Sequence, residues 1–169
     1  MRTLSLLLGP LTLVGCLLLV SACDDACAVS DSPNITLGQG VGGAFLPLED
    51  QQVVGLEAAP QGGFGVKTLI STRGLLAGDE ALASVQLDVM IEDSLAGTFF
   101  LDETRLLCRD AQEGGLVSDV VVGFDAETYS SPDDLLLLDQ QEVVLDVTVI
   151  DSEENSANIL QAVIINAGG

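Results

Sequence analysis

The sequence contains no histidine and no tryptophan, and its one tyrosine is Tyr129. Histidine is the usual general base and a frequent metal ligand at neutral pH, and aromatic rings are the usual platforms for sugars and bases. Serines are present, but no Gly-x-Ser-x-Gly elbow accompanies them, and without a base a serine is a weak nucleophile. We therefore expect no enzyme activity and assign no catalytic residue. A hydrolase that uses two carboxylates remains as a third alternative.

Positive charge is scarce. Five Lys and Arg residues stand against 26 Asp and Glu residues, which gives a net charge of -21. Removing residues 1–22, which contain Arg2 and no acid, changes -21 to -22 and leaves four cations: Lys67, Arg73, Arg105 and Arg109. Such a surface repels nucleic acids, so we expect no nucleic-acid partner. The acidic excess is typical of proteins from saline surroundings, where ions screen the mutual repulsion of carboxylates.

The acidic groups raise cation binding as an alternative function. Calcium takes several oxygen ligands, and the best candidates for such ligands are Asp133, Asp134, Asp151 and Glu153. Their spacing does not match an EF-hand loop, so solvated acidic turns are the favoured interpretation. No metal and no other cofactor is assigned.

Long apolar runs are scarce as well, and the longest extends from Leu4 to Val20, directly after the cation Arg2. This order of a short basic start and an apolar segment is typical of an export signal. The alternative is an uncleaved transmembrane helix, for which about 17 residues is the short limit. Glycine and proline at positions 9, 10 and 15 interrupt the run, which favours the export signal.

The end of this run, Leu-Val-Ser-Ala-Cys at positions 19–23, resembles a bacterial lipobox. The resemblance implies that residues 1–22 are a lipoprotein signal peptide and that Cys23 is the lipidation site. Several acyl chains, such as palmitate, would then form a membrane anchor that holds the exported chain in the cell envelope. The inner and the outer membrane both remain open as its location.

Residues 23–34 are mostly small and polar, which predicts a flexible tether behind the lipidated cysteine. Cys27 and Cys108 also remain in the exported part of the chain, and an exported protein meets oxidising conditions. A disulfide between them would close a loop of about 80 residues and contribute roughly 4 to 5 kcal/mol in the chain-entropy model. Two separate thiols are the alternative.

Alternating apolar residues are the strongest structural signal. Val143, Leu145, Val147 and Val149 alternate with other residues, and a second alternating run begins at Val85. A period of two predicts half-buried strands. Weaker strands are predicted at 35–37, 53–57, 65–72, 98–101, 104–108, 117–124 and 159–165. Turn-forming residues separate them at 38–43, 60–63, 74–78, 114–115, 130–134 and 151–155.

No long stretch has the 3.6-residue period of a helix. The four leucines at 135–138 are compatible either with a single helical turn or with a strand buried on both faces. About nine short strands without helices predict an all-β fold over residues 35–169, an antiparallel β-sandwich of immunoglobulin-like or fibronectin-III-like architecture. The Cys and Trp core of true immunoglobulin domains is absent.

Residues 59–66, Ala-Pro-Gln-Gly-Gly-Phe-Gly-Val, are followed by Arg-Gly-Leu at 73–75. This pair resembles the Pro-Gln-Gly-Gly-aromatic hairpin of a family of lipid-anchored β-sandwich proteins from myxobacteria and related deltaproteobacteria. The resemblance spans about residues 38–75 and implies a lipid anchor and a β-sandwich but no particular activity. The chain departs from the family at Gly65, where histidine is frequent. The residues themselves predict a tight turn, with Phe64 leading a strand into the core.

These features predict a membrane-anchored lipoprotein whose acidic domain serves as a structural or protein-interaction module. Its expected partners are membrane lipid, through acylated Cys23, and another protein. Exposed apolar residues on one sheet face would favour the protein partner, whereas converging carboxylates would favour the cation. The sequence does not fix the oligomeric state.

Overall fold

The computed structural model describes residues 25–41, 44–60, 62–129 and 131–168. Strands account for 61% of this part of the chain, beside one short helix. The strands are β1 Asn34–Val41, β2 Ala44–Pro47, β3 Gln52–Ala58, β4 Phe64–Arg73, β5 Leu82–Ile91, β6 Ser94–Arg105, β7 Leu107–Asp110, β8 Gly114–Gly123, β9 Glu142–Asp151 and β10 Ser156–Asn166; the helix is α1 Pro132–Leu136. The expected all-β class is confirmed.

The alternating runs form central strands. In β9, Val143, Leu145, Val147 and Val149 are fully buried, while the residues between them are at least partly exposed. The same pattern holds in β5. Side chains of a strand point alternately to its two faces, so one face of each strand packs on the core and the other meets solvent.

The strands form an open mixed sheet in the order β2-β1-β4-β3-β10-β9-β5-β6, with β8 also pairing with β4 and β7 pairing with β8. Strand β3 joins two halves of the sheet, one formed by β1, β2, β4, β7 and β8 and the other by β5, β6, β9 and β10. Its residues 52–55 pair in parallel with β10, and its residues 56–58 pair antiparallel with β4. The expectation of a purely antiparallel arrangement is therefore wrong at this point, because β3 passes from one half to the other alongside the last strand.

Both halves contribute to one apolar core. Strand β1 lies against β10, and β6 lies against β8. The fully buried large side chains include Leu37 and Ile70 from one half, and Leu87, Leu145 and Ile165 from the other. Each such side chain contributes about 1.5 to 3 kcal/mol on burial, so the two halves stabilise each other as one unit.

Three local predictions differ from the structure. The two strands expected at 98–101 and 104–108 are a continuous β6 and a short β7, divided at the buried residue Leu106. The turn expected at 38–43 begins later, because β1 continues to Val41 and the ring of Phe45 lies against Gly38, which has no side chain. Gly114 and Gly115 belong to β8 rather than to a turn.

Helix α1 ends within the run of four leucines at 135–138. The helix begins with a capping box: Asp134 Oδ2 accepts hydrogen bonds from the backbone N–H and the hydroxyl of Ser131, and the Asp134 N–H donates to Ser131 Oγ. Such reciprocal caps satisfy N–H groups that a helix leaves free at its start. The helical alternative is therefore confirmed, and Leu135 and Leu138 face the core while the two leucines between them are exposed.

The segment before β1 is fastened to the domain from Ala26 onward. Ala26 donates a backbone hydrogen bond to Ala111 and accepts one from Gly74, at 2.8 and 3.0 Å, and Ser30 donates to Gly74 at 2.9 Å. Cys27 accepts a backbone hydrogen bond from Ala77 at 2.9 Å. The expected flexible tether over 23–34 is thus wrong for these residues, because backbone pairing and burial hold them on the domain.

The strands give the domain two ends. Strand β5 begins at Leu82, opposite Arg105, and runs for ten residues to Ile91. At about 3.3 Å per residue, this strand is roughly 30 Å long. The disulfide end, as we name it, carries Cys27, Cys108 and Arg73. The opposite end carries Phe64, the start of β4, and the turn between β5 and β6.

Candidate functional site

The lipidation site predicted at Cys23 and the signal peptide predicted over 1–22 lie outside the residues that the structure describes. Among the described residues, no helix combines the length and the apolar character needed to cross a membrane.

Cys27 and Cys108 are joined by a disulfide, with their Cα atoms 5.7 Å apart. The structure thus contains the disulfide expected from the sequence and not the alternative of two separate thiols. Cys27 is buried, with 6% of its surface exposed. The bridge fixes the start of the described chain to β7, 81 residues further along.

Asp151, a predicted metal ligand, has its carboxylate occupied by internal hydrogen bonds. Oδ2 accepts from the backbone N–H of Leu76 at 2.8 Å, and Oδ1 accepts from the backbone N–H groups of Glu153 and Asn155 at 2.9 Å. The Asn155 amide donates to both oxygens at 3.1 Å. Only 4% of Asp151 is exposed. The carboxylate therefore shapes the turn between β9 and β10 and is not free to bind a cation.

The pKa of Asp151 is governed by two opposing effects. Burial raises the pKa, because a charged group is costly to remove from water. The hydrogen bonds from Leu76, Asn155 and Glu153 lower it, and their combined effect prevails, so the pKa lies below its ordinary value. The charged form is the one that the fold stabilises.

The other three predicted ligands do not form a carboxylate cluster with Asp151, although Glu153 donates its backbone N–H to Asp151 within the same turn. Asp134 belongs to the capping box of α1, whereas Asp133 and Glu153 point to solvent from two different segments. Within the described ranges, no group of three or more His, Cys, Asp or Glu side chains is arranged to hold a metal ion. The structure thus gives these four residues local structural roles or solvent exposure.

The glycine-rich hairpin lies at the opposite end, where it helps to form an open groove of about 440 Å³. Gly62 and Gly63 have φ angles of 94° and 78°, which L side chains rarely adopt. Phe64 begins β4, which is buried or half-buried from Gly65 onward, as expected, although the side chain of Phe64 itself is 42% exposed. The backbone C=O of Phe64 accepts from Phe124 N–H, and the Phe124 ring packs on Tyr129.

The floor and rim of this opposite-end groove are mostly small or apolar. Leu95 and Ala96 of β6 lie on one side, Gly123 and Phe124 follow β8 on the other, and Asp125 supplies a charge. The pKa of Asp125 is lowered, first by a hydrogen bond from the Thr128 hydroxyl and then by one from the Glu127 backbone N–H. A groove of this composition suits an apolar side chain that approaches beside a positive charge.

A second groove, of about 410 Å³, lies at the disulfide end and was not anticipated from the sequence. Its floor is a row across three strands, Thr36, Ser71 and Leu116, which are paired in register. Phe45 and Pro47 of β2 form one wall. Two arginines, Arg73 of β4 and Arg109 of β7, also line it, and we call it the arginine groove.

The arginine groove contains two of the four Lys and Arg residues that follow position 22. Arg109 Nε lies 3.0 Å from the carboxylate of Glu113, four residues along the β7–β8 hairpin. No carboxylate among the described residues forms an ion pair with Arg73. The sequence draws attention to these arginines only because cations are scarce. The pairing of β8 with both β4 and β7 is what places Arg73 and Arg109 in one groove.

Comparisons of the chain with protein-family models, with curated proteins and with solved structures find no match.

Proposed function

We propose that this chain is a bacterial lipoprotein, anchored through acylated Cys23 in a membrane of the cell envelope, whose β domain is a structural or protein-interaction module. The lipobox-like residues 19–23 and the resemblance of the 59–66 hairpin to lipid-anchored β-sandwich proteins support it. The observation that carries the proposal is the fastening of Ala26 and Cys27 to the disulfide end. This fastening leaves only the residues between Cys23 and Ala26 as a link to the anchor.

The opposite end would be the presented end. It lies a strand length, roughly 30 Å, from the fastened segment. Leu95, which lines the opposite-end groove, is 61% exposed, and Phe64 at the same end is 42% exposed. Apolar side chains around a concave surface favour a protein partner. The net charge of -21 favours a partner with a basic contact surface.

We also propose that the two halves of the sheet form a sandwich of immunoglobulin-like or fibronectin-III-like architecture. Support comes from the packing of β1 on β10 and of β6 on β8 around a shared core. Nuclear Overhauser contacts between methyl groups of β1 and β10 are expected in such a sandwich. Their absence, together with contacts only between hydrogen-bonded neighbours, would argue for a flat open sheet.

The anchor is tested by intact mass spectrometry of the full chain from the membrane fraction of a bacterial host that lipidates exported proteins. We expect loss of residues 1–22 and the added mass of acyl chains. The Cys23→Ala variant is expected to lack the acyl mass. An uncleaved, unmodified chain in the membrane fraction would contradict the proposal and favour a membrane-spanning first segment.

The presented end is tested by photo-crosslinking in the same host, with p-benzoylphenylalanine in place of Ala126 on the rim of the opposite-end groove. Asp50, an exposed residue in the turn before β3 that does not line the groove, is the matched control. We expect a discrete protein adduct at 126, absent at 50 and lost when Leu95→Asp removes the apolar rim. Equal adducts at both positions would show that the groove has no special role.

A further inference from the structure

The arginine groove lies at the end of the domain that the proposed anchor holds nearest to the membrane. Resting on the proposed lipid anchor, we propose that this groove binds the zwitterionic head group of a phospholipid in the same membrane. The phosphate lies between Arg73 and Arg109, and the ammonium lies beside Glu113. The domain would then be held in one orientation relative to the membrane, which the short link to Cys23 alone would not fix.

Chain length sets the first part of the argument. Cys23 is three residues before Ala26, and a fully extended chain spans at most about 3.6 Å per residue, or roughly 11 Å here. Ala26 accepts a hydrogen bond from the backbone of Gly74, which directly follows Arg73. Cys27 is bonded to Cys108, which directly precedes Arg109. Both arginines therefore lie beside the point at which the chain departs toward the anchor.

The opposite end cannot replace the disulfide end at the membrane. Strand β5 begins near the segment that Cys27 pairs with and ends roughly 30 Å away. This length exceeds the roughly 11 Å that the three residue steps from Cys23 to Ala26 can span. An anchored domain thus keeps its disulfide end within contact distance of the head groups, whichever way it tilts.

The groove has the chemical groups that a head group needs. Guanidinium groups bind phosphate through charge-assisted hydrogen bonds in a planar fork. Arg73 has no carboxylate partner among the described residues, so its donors are available. Phe45, Pro47 and Leu116 provide apolar surface beside the arginines, which suits the glycerol and the first carbons of a lipid.

Charge decides in favour of a zwitterionic head group. The chain as a whole carries a net charge of -21, which opposes an anionic membrane surface. Glu113 lies in the same groove, 3.0 Å from Arg109. Two guanidinium groups and one carboxylate side by side complement a phosphate with an attached ammonium, as in phosphatidylethanolamine, better than they complement an anionic lipid.

The test uses the full lipidated chain in vesicles of phosphatidylethanolamine and phosphatidylcholine. The photo-crosslinker p-benzoylphenylalanine replaces Gln112, on the rim of the arginine groove, or Glu127, an exposed turn residue at the opposite end. We expect a phospholipid adduct at 112 and little at 127. Arg73→Gln is expected to reduce the adduct at 112 several-fold, as the loss of a charge-assisted hydrogen bond requires. The charge-matched variant Arg105→Gln, outside the groove, is expected to leave it unchanged.

Intact mass of the same samples separates the two proposals. A chain without acyl groups overturns the proposed anchor and this inference with it. An acylated chain that forms equal adducts at 112 and 127, or whose adduct at 112 is the same in wild type and Arg73→Gln, overturns the head-group site while the anchor stands. A larger adduct in vesicles that contain anionic phosphatidylglycerol would contradict the choice of a zwitterionic lipid.

Discussion

Asp88 of β5 and Asp146 of β9 stand directly opposite each other in an antiparallel pair, both on the solvent face of the sheet. Each carboxylate has its own neutral donors. Asp88 accepts from the Thr98 hydroxyl and the Gln86 amide, and Asp146 accepts from the Asn158 amide at 2.7 Å. Like charges directly opposite in a strand pair destabilise the pair. The donors offset this repulsion in part, but they carry no net charge.

We therefore expect Asp146→Asn to raise the free energy of unfolding by a few tenths of a kcal/mol in low salt, the usual size of such a cross-strand effect. The remaining side-chain oxygen can still accept from Asn158. Because salt screens the repulsion, the gain should shrink between about 0.05 and 1 M sodium chloride. Urea unfolding at several salt concentrations measures both effects.

Asp50→Asn is the matched control for this experiment, since it makes the same change of charge at an exposed turn residue. We expect the control to respond less to salt than Asp146→Asn does. If the two variants gain equally, the net charge of the chain matters and the facing pair does not.

The Asp151 carboxylate is expected to stabilise the fold strongly at neutral pH. Asp151→Ala leaves the partly buried N–H of Leu76 and the N–H groups of Glu153 and Asn155 without their acceptor. A loss of about 2 to 3 kcal/mol in the free energy of unfolding is expected for hydrogen bonds to a charged group. Urea unfolding of both proteins at pH 7 gives this difference.

The pH dependence of that loss follows from the lowered pKa of Asp151. The contribution of the charged form is complete above the ordinary value of 3.8 and disappears as the pH falls through the lower folded value. The stability difference between wild type and Asp151→Ala should therefore be constant near neutrality and shrink in acid. Glu153→Ala, a change at an exposed residue of the same turn, should cause neither the loss of stability at neutral pH nor its decrease in acid. A stability loss in Asp151→Ala that does not vary with pH would show that the ionisation of Asp151 is not its cause.

Removing the disulfide with Cys27→Ser and Cys108→Ser is expected to lower the free energy of unfolding by about 4 to 5 kcal/mol in the chain-entropy model. The cysteines are 81 residues apart, so the bridge restricts a large loop of the unfolded chain. Reduction of the wild type by dithiothreitol in urea should give a similar loss. A loss below about 1 kcal/mol would mean that the backbone hydrogen bonds of Ala26 and Ser30 hold the segment without the bridge.

The sequence predicts the strands well where a residue alternates between core and solvent. Val143 to Val149 illustrate this, because their period of two is a local property of the chain. Strand β2 was missed, since its four residues lie at the edge and are largely exposed. The parallel pairing of β3 with β10 was also missed. It depends on two segments about 110 residues apart, and no local pattern records it.

The candidate sites also divide into features that a local sequence pattern predicts and features that depend on long-range pairing. The Cys27–Cys108 bridge was predictable because few cysteines remain after position 23, and disulfides are typical of the exported proteins that the lipobox-like residues predict. The predicted ligand Asp151 is instead an acceptor for the Leu76 N–H, a contact across 75 residues. The arginine groove needs β8 between β4 and β7 before Arg73 and Arg109 can meet. Long-range pairing therefore decides which charged residues form a site.

Gly65 provides the sharpest test of how closely β4 and β8 pack. A Cβ atom at this position would overlap the backbone carbonyl oxygen of Val122, whereas nothing lies within 4 Å of the Cβ position at Gly55 in β3. Neither residue has the positive φ that only glycine tolerates well.

We therefore expect Gly65→Ala to lower the free energy of unfolding by about 2 to 4 kcal/mol, because β8 must shift. Gly55→Ala should change it by less than about 1 kcal/mol. Urea unfolding of both variants decides the matter, and equal losses would mean that the entropy of the unfolded chain, not contact with Val122, explains the requirement for glycine. By the same contact, any larger side chain at Gly65, histidine included, would require movement of β8.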